Sequence, residues 1–223
     1  MRETFHHKLE EINEDVILMG SLVQEAVYNS IEAFIEMNTD LAEKVINGDE
    51  KINESDILIE EKCIVLQAEH QPVAKDLRYL HSVSIIIKYL ERIGDLAVNI
   101  SKAVKRLAKE KKKYLDKEII GLIVEMGNLV KPELNRALES FKNKDIKLAS
   151  QLGKSDDMVD EIQKMIFRKL FTSNKCSEED IKFITNIVLA SRYLERIGDQ
   201  SVNIGQRVLY FLSGDYKVFH DGV

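Results

Sequence analysis

Apolar or small side chains recur from the start of the chain at steps of three and four residues: Phe5, Leu9, Ile12, Val16, Met19, Val23, Ala26, Ser30, Ala33 and Met37. That run describes one stripe on a helix, the face an antiparallel bundle buries. Asn38-Thr39-Asp40 then offers a break and a cap for a second helix, in which Val45, Ile52, Ile59 and Leu66 recur every seven residues to about Glu69. Gln71-Pro72 ends that run, and Pro72 is placed to open a third helix from within its first turn. The third helix continues to about Lys109 on Leu80, Val83, Ile87, Leu90, Gly94, Ala97, Ser101 and Val104.

The same plan occurs twice. Residues 89–100 read YLERIGDLAVNI and residues 193–204 read YLERIGDQSVNI, ten identities in twelve positions at an offset of 104. Asp76-Leu77-Arg78-Tyr79 pairs with Asp180-Ile181-Lys182-Phe183 in that register. Further upstream the offset is 107, where Met19-Gly20 matches Met126-Gly127 and Asp49 matches Asp156. Self-similarity on this scale marks a duplicated unit. The fold predicted is all-α, a tandem repeat of two three-helix antiparallel bundles, because short connections force neighbouring helices to be antiparallel. The domains are 1–110 and 111–223, with matched segments over roughly 5 to 108 and 115 to 212, and Lys109 to Lys113 as the junction. Turns in the second unit are expected near Asn143-Lys144-Asp145 and Ser173 to Cys176, with Ser177 and Asp180 resembling a capping box.

Composition narrows the function. Two Pro and ten Gly are too few to punctuate many short strands, which agrees with long helices. With 32 Lys and Arg against 38 Asp and Glu, the net charge of -6 argues against a nucleic-acid partner, which needs phosphate-neutralising cations. The apolar stretches, such as Val83 to Ile87, fall far short of a membrane span, and the first segment lacks the apolar core of a secretory signal. A cytoplasmic protein without direct membrane insertion is expected. Cys63 and Cys176 have no metal or redox spacing and read as free buried thiols.

The chemistry lies in the repeated helix. One acidic pair at four-residue spacing means little, since random placement of the acids gives about six of them. Glu91 with Asp95 and Glu195 with Asp199 differ because they recur at equivalent places. Each pair sets two carboxylates on one helix face, a repulsion that a bound cation would reverse. Counting back across the turn near residue 71 sets Asp49 opposite residue 93, between Glu91 and Asp95, with Asn53 opposite residue 89. In the second unit the same count places Asp156 opposite residue 194 and Asp160 opposite residue 190. Adjacent helix axes are close enough for such side chains to share ions. The expected metal ligands are therefore Asp49, Asn53, Glu91 and Asp95 in one unit and Asp156, Asp160, Glu195 and Asp199 in the other.

The charge count favours the second site, where Asp160 replaces Asn53. All-oxygen donors suit hard ions such as magnesium, manganese or ferric iron, and zinc is compatible with carboxylates. The bland reading is two solvated faces paired with Arg92 and Arg196. Gly94 and Gly198, on the buried seam, suggest close helix approach. Asp76 and Asp180 lie about 22 Å from the motif along the helix and serve its positive end instead.

With these paired motifs the chain resembles the PhoU regulators of phosphate-specific transport, over nearly its whole length. The resemblance rests on the two three-helix units, each with an E(D)xxxD motif, here Glu91-Arg92-Ile93-Gly94-Asp95 and Glu195-Arg196-Ile197-Gly198-Asp199. Asp49 with Asn53 and Asp156 with Asp160 look like the family's ligand-bearing segments. The resemblance implies a cytoplasmic, non-enzymatic negative regulator of the phosphate-starvation response. It implies contact with the phosphate ABC transporter and a sensor histidine kinase, iron or zinc as cofactors on the bundle surface, and a homodimer. A carboxylate-bridged helical-bundle metalloenzyme or metal-storage protein is the alternative. An enzyme should show a water-excluded pocket with an open coordination position. The single Glu-x-x-His, Glu3 to His6, lies at the terminus and weakens the di-iron version.

Overall fold

The structure, a computed structural model, describes residues 2–109, 116–154, 156–171 and 178–215. Three long helices form the first unit: α1 (Arg2–Glu36), α2 (Thr39–His70) and α3 (Ala74–Leu107). The second contains α4 (Lys117–Asn143), the single turn α5 (Ile146–Ala149), α6 (Asp156–Phe171) and α7 (Glu178–Ser213), and there is no strand among the described residues.

Local chemistry accounts for the turns. Met37 takes a left-handed conformation (φ 53°), and the Asn38 side chain then accepts the Leu41 N–H at 3.0 Å, capping α2 as expected. Gln71 (φ 44°) closes α2 with one bond from its N–H to the Gln67 carbonyl. Pro72 lacks the N–H that a second closing bond would need. It therefore belongs to the connection, and α3 starts two residues later than the proline suggested, at Ala74. Lys144 (φ 51°) and Asp145, whose carboxylate accepts the Lys147 and Leu148 N–H groups, make the turn expected after α4. The Ser173 to Cys176 turn, the Ser177 cap, Cys176 and the 110/111 boundary lie outside the described residues.

The second unit departs from the plan in its middle helix, which is broken between α5 and α6. Gly153 adopts φ 87°, a conformation that L side chains resist, and the buried carboxylate of Glu133 accepts its N–H. Leu152 folds down onto Gly205, where a Cβ would overlap the leucine methyl. The first unit has Ile46 and Ser101 at the positions of Gly153 and Gly205, and its α2 runs through unbroken.

Each unit packs its helices around the predicted seam, but burial is wider than one stripe. On α1, Val27, Ile31 and Phe34 are buried beside the seam, because α4 covers that flank. On α3, Ile86, Ile93, Ile100 and Leu107 are buried because α7 lies against the side away from α2. The apolar residues of both units form one continuous core. α3 and α7 run antiparallel, so the Tyr79 ring near the start of α3 meets the Phe211 ring near the end of α7 edge-on at 5.2 Å. The α1–α4 crossing obeys a local two-fold: a Cβ on Gly20 would meet Leu138, and one on Gly127 would meet Ile31. Leu138 and Ile31 are themselves equivalent at the 107-residue offset. Cys63 is buried as a free thiol.

Candidate metal centre

In the first unit α2 and α3 meet at Gly94. A Cβ there would stand 3.1 Å from Ile52 Cδ1 and 3.4 Å from Asp49 Oδ1, so the missing side chain lets α2 bring Asp49 up to the Glu91–Asp95 face. The register obtained by counting is the one observed. Asp49 is half-buried, and its Oδ1 is buried with no hydrogen-bond partner; Asn53 Nδ2 approaches Oδ2 at 3.4 Å. Burial, and after it the negative charge of Asp95, push the Asp49 carboxyl above its ordinary pKa, against the Asn53 amide and Lys102. Glu91 is raised as well, first by burial and then by Asp95, Asp56 and Asp49, with Lys88 opposing.

Four carboxylates, including the previously unassigned Asp56, thus share one electrostatic neighbourhood. Asp56 lies one heptad beyond Asp49, on the same face of α2, and the spacing could have flagged it. Lys88 donates to Asp56 Oδ2 at 2.7 Å and to Glu60 Oε2 at 3.0 Å. Those two contacts draw the ammonium to α2, although Glu91 stands three residues along its own helix. Asp56 Oδ1 is a second buried oxygen without a hydrogen-bond partner.

The second unit holds the same motif differently. Asp156 opens α6, with only its backbone described, and Asp160 is half-buried one turn on. Glu195 is 9% exposed and fully engaged: Arg192 Nη1 donates to both carboxylate oxygens, 2.6 Å from Oε2, and Gln163 Nε2 donates to Oε2 at 2.7 Å. Asp199 is half-buried and has an interaction of its own. A Cβ on Gly198 would meet Val130 of α4, at 4.0 Å. Among the described residues the cations hydrogen-bonded beside the two motifs are Lys88 and Arg192, three residues before each, where the bland reading names Arg92 and Arg196.

The donor chemistry of a hard cation is thus met in the first unit by uncompensated carboxylates and an orphaned buried oxygen. In the second unit the central glutamate already has a cation. As the side chains stand, no three His, Cys, Asp or Glu converge on one ion position among the described residues. Asp95 and Asn53 are exposed and Glu91 is half-buried, so the cluster lies on an open flank. A cavity of about 320 Å³ opens elsewhere, between His6, Asn13, Lys75, Tyr79, Lys144 and Phe211, with no motif carboxylate in its wall.

The PhoU domain model matches residues 16–104 and again 123–208. The chain belongs to the PhoU family. The PhoU homolog of Clostridium acetobutylicum, named as a phosphate-specific transport system accessory protein, is 35% identical over 99% of both chains. The Escherichia coli accessory protein PhoU is 32% identical over 94% of this chain and 86% of its own length. The crystal structure of PhoU from Pseudomonas aeruginosa superposes with a TM-score of 0.87 at 32% identity, over 95% of this chain and all of the other. That of the Streptococcus pneumoniae regulatory protein PhoU gives 0.84 at 28% identity, over 95% and 98%. The second match, residues 123–208, runs from within α4 to within α7, so the broken middle helix is contained within a PhoU repeat. No helix among the described residues is long and apolar enough to cross a membrane.

Proposed function

We propose that this protein is a cytoplasmic accessory regulator of phosphate uptake, a homodimer that represses the phosphate-starvation response by contacting the phosphate ABC transporter and its sensor histidine kinase. The observation that carries this reading is the near end-to-end similarity to the Clostridium acetobutylicum relative named as a phosphate-specific transport system accessory protein. Its action through protein contacts rather than catalysis is supported by the open setting of the acidic cluster, where Asp95 and Asn53 face solvent. A metalloenzyme typically encloses its ion in a pocket that leaves one coordination position open to water or substrate.

A metal ion, iron or zinc by family likeness and magnesium or manganese by donor type, would be held in the first unit by Asp49, Asn53, Glu91 and Asp95. Its contribution there is positive charge, which ties α2 to α3 through carboxylates that otherwise repel each other.

Deletion of the gene tests the regulatory reading. Starvation-response promoters should become active in phosphate-rich medium and fall silent again when the intact gene is returned. A deletion strain that keeps them repressed would remove the regulatory reading.

A further inference from the structure

The two motifs differ where the metal-site pattern does not look, on the helix facing them. At the 107-residue offset, Asp56 and Glu60 of α2 correspond to Gln163 and Phe167 of α6, and at the 104-residue offset Lys88 corresponds to Arg192. Both cations stand three residues before the motif glutamate, within reach of it. In the first unit two acids of α2 compete for the cation and win, so Lys88 bonds to Asp56 and Glu60 and Glu91 keeps no cation of its own. In the second unit neither competing acid exists. Arg192 therefore turns back onto Glu195, and the Gln163 amide adds a third donor to the same carboxylate.

We infer that Arg192, with Gln163, acts as a built-in cation that closes the second E(D)xxxD motif to metal, so that an ion is taken up in the first unit alone. This rests on the metal reading of the first unit. The physical basis is that the Glu195 side chain is 11% exposed and all three of its contacts come from donors. Charge-assisted bonds are shorter and stronger than neutral ones, and here one guanidinium nitrogen serves both oxygens of a carboxylate that is itself the buried end of the pair, Arg192 being 49% exposed. An incoming metal ion would have to approach a guanidinium that cannot lose its charge. The formal charge that Asp160 adds is thereby offset, and the preference based on acid counting reverses.

The test counts Mn²⁺ bound to metal-free protein, by electron paramagnetic resonance, in the whole chain and four variants. Asp95→Asn should weaken binding and Asp199→Asn should leave it unchanged. The triple variant Arg192→Lys, Gln163→Asp, Phe167→Glu copies the first unit's arrangement into the second. Made in the Asp95→Asn background, it should bind Mn²⁺ about tenfold or more tighter than Asp95→Asn alone, the size of effect typical of groups that orient metal ligands. Arg192→Met in the same background, a smaller change that leaves α6 intact, should move affinity in the same direction, and circular dichroism checks that each variant is helical. Equal losses in Asp95→Asn and Asp199→Asn, or no gain in either opened variant, would overturn the inference. If the intact protein takes up no Mn²⁺ but the opened variants do, the first-unit metal reading fails and the closure by Arg192 stands.

Discussion

Gly20 of α1 lies so close to α4 that a Cβ on it would come within 2.7 Å of Leu138 Cδ2. The contact is with the far end of a flexible side chain, so a single methyl group can be admitted by rotating the leucine. Gly20→Ala should therefore be close to neutral, the gain in helix propensity offsetting the displacement. Gly20→Leu has no such escape and should cost about 1–3 kcal/mol in urea melts. Gly48 and Gly121 are helical glycines with open space around them, and Gly48→Ala or Gly121→Ala should stabilise by about 0.5–1 kcal/mol. Equal responses at Gly20 and Gly48 would show that the α1–α4 crossing is looser than described.

The acidic cluster of the first unit makes stability depend on pH in a definite sense. Asp49 and Glu91 are both raised above their ordinary values by burial and by neighbouring carboxylates. The folded state then holds protons that the unfolded chain has already released, so stability is greatest below about pH 4 for these groups and declines as pH rises through their folded values. In chelator, Glu91→Gln should be more stable than the parent at pH 7, with the advantage vanishing near pH 4. Unfolding midpoints measured across that range decide the matter; a constant or inverted difference would mean that Glu91 is not held among like charges.

The break in the middle of the second unit depends on Gly153. At φ 87° an alanine is strained, and Gly153→Ala should cost about 1–2 kcal/mol. The same substitution at an ordinary helical glycine is favourable, so the sign of the change in thermal midpoint is the readout. A stabilised Gly153→Ala would imply that α5 and α6 can fuse into one helix like α2.

The parts of this structure that could be read from the sequence are those set by local chemistry or by a long repeat of one period. Asn38 caps where it should, and simple counting across one turn brought Asp49 to the level of Glu91 and Asp95. The broken middle helix was not legible, because it is held by Leu152 on Gly205 and by Glu133 on Gly153, contacts between residues far apart in the chain. Nor was the second flank of α3, since Ile86, Ile93 and Ile100 look like any apolar residues until α7 is known to cover them. The different partners of Lys88 and Arg192 escape any motif search. Both precede their glutamate by three residues, and the difference is decided by what α6 lacks.

The contacts of Gly20 with Leu138 and Gly127 with Ile31 have the form of an isologous interface between two copies of one unit, here carried by a single polypeptide. In an assembly of two separate copies, every substitution would appear on both sides of the axis at once. Covalent fusion lifts that constraint. The halves can keep a shared crossing and yet differ in their charged faces, one opposing its motif glutamate with arginine while the other commits its lysine to Asp56 and Glu60 and leaves Glu91 without that partner.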